Sequence, residues 1–382
     1  MLFLTKFYSL SNTALFIEKK LRERQASGAY RMLKPDNSLV DFCSNDYLGF
    51  ARSAELKKLI DGELERLYPV KSGSTGSRLL SGNSNYTEET ENLIAGLHKC
   101  EAALIFNSGY DANLGLFSSL PQRGDTIILD ELAHASIIDG ARLSFANRYT
   151  FKHNNPNSLE EKLKLAKGNC YIGIESVYSM DGDAAPLTAI AELAEKYTAS
   201  LIVDEAHAVG LYGFGLVNNA IENRVFARVV TFGKALGCHG AIVLGSNLLR
   251  EYLINFARPF IYTTAAPLHQ VISVKMAYLQ LQQSASEIEK LKNNIRLFKQ
   301  NVNKNHLLIN SESAIQCVLL NCNQKAKAMA DILQKKGLDV RPILSPTVSA
   351  GSERIRICMH SFNTSNEILL LADTLNTFAD AQ

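Results

Sequence analysis

Asp204-Glu205-Ala206-His207 and Thr231-Phe232-Gly233-Lys234-Ala235 each follow a short apolar, β-branched run, Leu201-Ile202-Val203 in the first case and Val229-Val230 in the second. Such runs read as buried strands, so two strand ends deliver an Asp, a His and a Lys to one edge of a sheet, the edge at which open α/β folds bind ligands. Lys234, flanked by Gly233 and Ala235, is sterically free to form an imine. Asp204, thirty positions earlier, can hold a protonated ring nitrogen, and His207 lies on the turn that follows it. An imine-forming amine set against such a carboxylate is equipment for chemistry through a heteroaromatic electron sink.

Those are the two attachments that pyridoxal 5'-phosphate requires, a Schiff-base lysine and a pyridinium partner. The same Asp-Glu-Ala-His string occurs as the magnesium-binding strand of helicases, but that reading needs a G-x-x-x-x-G-K-[ST] loop upstream, and the chain has none. Ser72 to Arg78 is Gly-rich, yet Arg78 stands where a phosphate-binding Lys belongs. No metal site is read. Asn107-Ser108-Gly109-Tyr110 ends another apolar run and leads into a helix expected over 112–120. Alone it is an ordinary turn; beside the Lys234 set it reads as a phosphate seat of free backbone N–H groups at a helix start. His134, in Asp130 to Ser136, is by itself a loop histidine, and at a ligand edge it can lie over the face of a flat ring. Glu175, Ser176 and Ser179-Met180-Asp181-Gly182-Asp183 end the next strand and can reach the ring's phenolic oxygen, as can His207.

The 382 residues are enough for a large core and more than one domain, and 46% apolar with 20% charged residues is an ordinary globular balance. A net charge of +2 creates no global field for nucleic acid or an anionic membrane. Seven scattered cysteines without a C-x-x-C imply reduced thiols, not a disulfide or zinc framework. Met1 to Lys6 is apolar but soon charged, so no signal peptide is expected, and no stretch approaches the ~18 apolar residues of a membrane span. A cytoplasmic protein is expected.

Positioning these residues is the work of an alternating strand and helix pattern from about Ala102 to Ser246. The strand runs are 103–106, 126–129, 171–174, 201–203, 229–230 and 241–244; Leu187, Ile190, Ala194 and Tyr197 repeat at helical spacing, and Ser158 to Glu161 reads as a capping box opening a further helix. Continuous apolar strands between helices imply a mainly parallel sheet covered on both faces. Ahead of this region a helix is expected over 9–25 and a strand over 39–42. After about Ala266 come one long helical region (271–303), strands at 315–320, 339–343 and 354–357, a helix burying Met329, Ile332 and Leu333 that stops at Gly337, and a last helix opened by a capping box from Thr364 to Glu367 that buries Ile368, Leu371, Leu375 and Phe378. The expected organisation is an amino-terminal segment (1–45), a large α/β domain (46–270) and a small α+β domain (271–382).

Taken as an ordered set, Asn45-Asp46-Tyr47-Leu48-Gly49, Gly73 to Arg78, Ser108-Gly109-Tyr110, His134, Ser179 to Asp183, Asp204 to His207, Thr231 to Lys234 and Arg354 to Ile357 resemble the α-oxoamine synthases, a family of fold-type I pyridoxal-phosphate enzymes. The resemblance covers nearly the whole chain. It implies a mainly parallel seven-stranded sheet with helices on both faces, a smaller carboxy-terminal α+β domain, and a homodimer with shared active sites. By position it makes Lys234 the Schiff-base lysine and later general base, and it sets Asp204 on the ring nitrogen, Ser179 and His207 on the phenolic oxygen and His134 over the ring. Ser108, Gly109, Tyr110 and Thr231 would hold the phosphate with Thr263 or Thr264 of the partner subunit. Arg356 would grip the amino-acid carboxylate, while Asn45, His134, Arg31 and Thr347 match substrate-contacting positions. The implied reaction is decarboxylative condensation of an amino acid with an acyl thioester. The compact length and Val230 to Ala241 point to the branch that joins L-alanine to a pimeloyl thioester. Sister branches use glycine with acetyl- or succinyl-CoA, or serine with a long acyl chain. A fold-type I aldolase or aminotransferase would share Lys234 and Asp204 but need no thioester site. Two departures bear on the acyl chain: Leu344 stands where that branch carries Arg, with Arg341 as a substitute charge, and His207 to Gly213 is phrased like a succinyl-CoA branch.

Overall fold

Each of the six apolar runs in the middle of the chain forms a strand, and a seventh joins them where the sequence carries no apolar run. The computed structural model describes residues 11–35, 37–303 and 308–380, so Met1 to Lys6 and the expected helix start at Ser9 lie outside the described residues. In chain order the strands are β1 (Val40–Asp41), β2 (Ala102–Phe106), β3 (Thr126–Asp130), β4 (Asn147–Phe151), β5 (Cys170–Glu175), β6 (Ser200–Asp204), β7 (Ala227–Thr231), β8 (Ala241–Gly245), β9 (Ile315–Leu319), β10 (Leu338–Asp339), β11 (Arg341–Ile343) and β12 (Arg354–Cys358). The main sheet runs β2-β8-β7-β6-β5-β3-β4. Its pairs are parallel except those of β8, which is antiparallel to both neighbours.

The unexpected strand is β4. It lies at the sheet's edge, and only Phe151 of its five residues is buried, so it lacks the continuous apolar stretch by which the inner strands announce themselves. The inner strands β3 and β5 are buried along their length, and so is β2 at the opposite edge. Close packing on the sheet depends on Gly173 in β5, where a Cβ would fall 2.7 Å from Phe117 Cζ. That contact lets the helix Gly109–Ser119 lie against the sheet.

Several expected elements are displaced, each for a local reason. The helix expected from Ala112 begins at Gly109, because Ser108 caps it, its side chain accepting from Asp111 N. The capping box read at Ser158 does not form. Pro156 occupies the first turn, Asn155 is the cap that accepts from Ser158 N, and Ser158 Oγ instead accepts from Lys152 N. The single long helix expected over 271–303 is two, Leu268–Leu281 and Ala285–Asn301, with Ser284 buried at the break and its hydroxyl bonded to Gln280 O. The strand expected over 339–343 divides at Val340: β10 pairs in parallel with β1, while β11 joins β12 and β9 in a three-stranded sheet. The expected strand at 39–42 is reduced to β1, and the first helix is Asn12–Ala26. The second capping box forms as read, Thr364 N donating to Glu367 Oε2 and Glu367 N to Thr364 Oγ1, and Ile368, Leu371 and Leu375 are fully buried.

Candidate active site

The strand order reverses direction between β5 and β3, the place where an open α/β sheet leaves a crevice at its carboxy-terminal edge. Glu175, Asp204 and Thr231 are the last residues of β5, β6 and β7. They line one cavity of about 160 Å³ together with Gly109, Tyr110, Asn113, His134, Ser136 and Lys234. Residues separated by more than a hundred positions thus meet because parallel strands all end on one side.

Asp204 is buried and held from two sides: Asn113 Nδ2 donates to Oδ2 at 2.7 Å and Ala206 N donates to Oδ1 at 2.9 Å. Lys234 is part-buried, and its Nζ lies 2.6 Å from His207 Nε2. Burial lowers its pKa to about 8, against the opposing pull of Asp204 and Glu175. Burial, reinforced by Lys234 and Arg356, drives His207 well below the usual histidine range. A neutral imidazole donates from one nitrogen and accepts at the other. With Lys234 protonated, Nε2 accepts and Nδ1 donates to the Tyr47 hydroxyl 2.7 Å away, which in turn donates to Asn45 Oδ1 at 3.1 Å. Burial likewise raises the Glu175 carboxyl to about 8, and its Oε1 makes no hydrogen bond among the described residues.

Arg356 comes from the other sheet. Along β12, Ile355 and Ile357 are fully buried while Arg354 and Arg356 alternate to the opposite face. Arg356 Nε donates to Ser179 O at 2.7 Å and Nη2 to Asn45 Oδ1 at 3.0 Å, and Arg354 forms an ion pair with Asp181. The loop that carries Ser179 is therefore pinned to the carboxy-terminal sheet. His134 caps the helix Ala135–Leu143 and pairs through Nδ1 with Ser136 Oγ at 2.7 Å. Tyr110 bonds Asp139, and Thr231 Oγ1 donates to Gly240 O at 3.2 Å.

Other expected residues stand apart from these lining groups. Arg31 Nη2 donates to Thr347 Oγ1 at 3.1 Å, which joins two positions read separately in the sequence. Arg341 is already paired, its Nε lying 2.6 Å from Asp339 Oδ1; it is therefore not a free substitute for the charge missing at Leu344. Thr263 and Thr264 meet Asn107 of their own chain, whose Nδ2 donates to Thr263 Oγ1 and Thr264 O, both at 2.9 Å. Sequence reasoning passed over Asn113 and gave Tyr47 no role. The signal for Asn113 was a polar residue on the buried face of a helix otherwise filled by Ala112, Gly115, Leu116 and Phe117.

These residues fit pyridoxal phosphate. A depressed amine and a fixed carboxylate share a cavity of about 160 Å³, and a void of roughly 150 Å³ already admits a six-membered ring. The buried Glu175 Oε1 and Asn113 Oδ1 add polar atoms with bonding capacity to spare.

Comparison with known proteins bears on the same point. Residues 37–375 match the model of aminotransferase class I and II. The chain is 40% identical over 393 residues to the 8-amino-7-oxononanoate synthase of Emericella nidulans, with 95% of each covered. It is 35% identical over 384 residues to that of Pseudomonas entomophila, covering 95% of this chain and 97% of the relative. Among solved structures, a serine palmitoyltransferase from S. paucimobilis with bound PLP superposes with a TM-score of 0.88 at 25% identity, over 97% of this chain and 99% of that one. The 8-amino-7-oxononanoate synthase of Francisella tularensis superposes with a TM-score of 0.76 at 29% identity, over 91% and 99%. With a sheet whose strand ends gather the Lys234, Asp204 and His207 set, and with relatives matched over almost their full length, the chain belongs to the aminotransferase class I and II family, in its α-oxoamine synthase branch.

Proposed function

We propose that this chain joins L-alanine to a pimeloyl thioester, on CoA or an acyl carrier protein, with loss of CO2, giving 8-amino-7-oxononanoate for biotin synthesis with pyridoxal 5'-phosphate as cofactor. The observation that carries this reading is the Lys234 amine, with a pKa lowered to about 8, in a cavity shared with Asp204, in a chain 35–40% identical to synthases of that product.

When bound, the cofactor supplies a protonated conjugated ring that accepts the electrons left as bonds at the amino acid's Cα break. Lys234 is both its attachment point and the base that takes the Cα proton on Nζ, a task for which a pKa near the working pH is best. Asp204 keeps the ring nitrogen protonated. Ser108, Gly109, Tyr110 and Thr231 would hold the phosphate, His134 would lie over the ring, and Ser179 and His207 would bond its phenolic oxygen. Arg356 offers a planar fork for the amino-acid carboxylate, beside Asn45. Arg31 and Thr347 would meet the thioester substrate.

The protein works as a cytoplasmic homodimer with shared sites, Thr263 or Thr264 of the partner subunit completing each phosphate seat. No helix among the described residues is long and apolar enough to cross a membrane. The reading divides the chain into the segment 1–45, a large domain (46–270) and a small domain (271–382). The test is a matrix of alanine, glycine and serine against acetyl-, succinyl-, pimeloyl- and palmitoyl-CoA. Alanine with pimeloyl-CoA is the expected best pair. A second reading, serine with a palmitoyl thioester, draws on the higher TM-score to serine palmitoyltransferase, and a preference for that pair would replace the first.

A further inference from the structure

Beside the cavity, outside the residues given a role above, His153 stands between two carboxylates. Its Nδ1 is 2.8 Å from Asp130 Oδ1 and its Nε2 is 2.8 Å from Asp183 Oδ2. Asp130 is the last residue of β3, His153 follows edge strand β4, and Asp183 lies in the loop after β5. One imidazole thus spans the ends of three adjacent strands.

Both aspartates are also tied to the backbone of a loop beside the cavity, Asp130 through its carboxylate and Asp183 through its main-chain carbonyl. Asp130 Oδ1 accepts from Leu132 N at 2.8 Å, two residues before His134. Asp183 O accepts from Tyr178 N at 3.0 Å, one residue before Ser179. Asn154, in a left-handed conformation with φ of 51°, doubles the bridge: its N donates to Asp130 Oδ2 at 2.9 Å and its Nδ2 to Asp183 Oδ2 at 2.6 Å. The Tyr178 ring stands edge-on to His153, with centroids 4.4 Å apart. We propose that His153 is a positioning residue which, by bridging Asp130 and Asp183, sets the loops that bring His134 to the cavity and Ser179 against its lining residue Glu175.

The chemistry of the bridge requires a charge. Ionised carboxylates only accept hydrogen bonds, so an imidazole between two of them donates from both nitrogens. Asp130 is almost fully buried, and a buried carboxylate needs a partner. Burial works against the His153 cation, but the bonds to Asp130 and Asp183 prevail and raise its pKa to about 10. The ionisable groups facing it are Asp130 from β3, Glu131 (whose Oε1 accepts from His153 N), and Asp183 and Tyr178 from the segment after β5. The bridge therefore stays charged across neutral pH, and the loops it holds do not depend on small changes of pH.

The functional part rests on the pyridoxal-phosphate reading, so the test uses one measurement with cofactor and one without. H153Q removes the charge, and H153Q/D183N restores the local charge balance with a neutral pair. In cofactor-free protein, amides of residues 131–136 and 177–183 should exchange hydrogen at least tenfold faster in H153Q than in wild type, with the helix Leu268–Leu281 unchanged, and the double variant should recover most of the difference. On titration with pyridoxal phosphate, H153Q should bind at least tenfold more weakly and show a shifted pH midpoint of its chromophore, again recovered in the double variant. Should H153Q fail to fold, D183N keeps the imidazole and must show the same changes at smaller size. Wild-type loop exchange and wild-type cofactor affinity in a folded H153Q or D183N would overturn the proposal. Faster exchange with unchanged cofactor affinity would overturn the positioning role and leave only a structural tie. A wild-type protein that forms no chromophore on Lys234 refutes the cofactor reading instead, and the exchange data then decide the bridge by themselves.

Discussion

Asn113 Nδ2 donates to Asp204 Oδ2 across 2.7 Å, so a helix that begins at the expected phosphate seat also orients the carboxylate expected at the ring nitrogen. One hydrogen bond links the two ends of the proposed cofactor site. A bond to a charged group contributes about 1.5–3 kcal/mol, which is roughly 10- to 100-fold at 1.4 kcal/mol per decade. Asn113→Ala should slow exchange of the alanine Cα proton for deuterium by about that factor, with the chromophore on Lys234 still formed. Asp204→Asn should slow it further, because an amide cannot keep the ring nitrogen protonated. Wild-type exchange in Asp204→Asn would reduce that residue to a structural part.

Lys234 should be the single point of cofactor attachment. Purified protein is expected to be yellow, and borohydride reduction followed by peptide mapping should place the pyridoxyl group on Lys234. Lys234→Ala should keep its circular dichroism spectrum and lose turnover, since one amine serves as attachment point and base. A label on another lysine contradicts the assignment.

The rate at which cofactor-free protein develops the chromophore should rise with pH through about 8, the value to which burial lowers Lys234, because only the free amine adds to an aldehyde. Glu175 favours the ammonium, so Glu175→Gln should move that midpoint to lower pH. Stopped-flow absorbance over pH 6–10 measures both; an unmoved midpoint in the variant separates the two groups.

Stability should carry the signature of His153. Its pKa in the folded protein, about 10, lies above the ordinary 6.5. The stabilisation is therefore fully present below 6.5 and is lost as pH rises through about 10. The Tm deficit of H153Q relative to wild type should be largest near pH 6 and shrink toward pH 10. A deficit that grows with pH has the wrong sign for this linkage.

Of the two arginines near the expected acyl-chain segment, Arg341 is engaged by Asp339 and Arg31 meets the hydroxyl of Thr347. Arg31→Ala should therefore raise the KM for a pimeloyl thioester more than Arg341→Ala does, and should matter much less for an uncharged acyl chain. Equal effects on charged and uncharged donors would remove Arg31 from carboxylate recognition.

What the sequence determined by itself is whatever depends on neighbours a few positions away. The strand cores ending at Asp204 and before Lys234, the capping box from Thr364 to Glu367 and the burial of Ile368, Leu371 and Leu375 all follow from local spacing, and all are present. The approach of Lys234 to His207 was foreshadowed because adjacent parallel strands β6 and β7 end side by side. Local signals failed where another segment supplied the deciding contact. Strand β4 carries no apolar run because only Phe151 of this edge strand is buried, yet it brings His153 to Asp130 and Asp183. Tyr47 reaches His207 across 160 positions, and Arg356 reaches Asn45 across 311. Asn113 is a polar interruption of an apolar helix face until β6 sets Asp204 against it. Hydrogen-bond partners at such separations are chosen by how the sheets and helices pack, and so the type of chemistry is legible in the chain while the network that orients it is decided only in three dimensions.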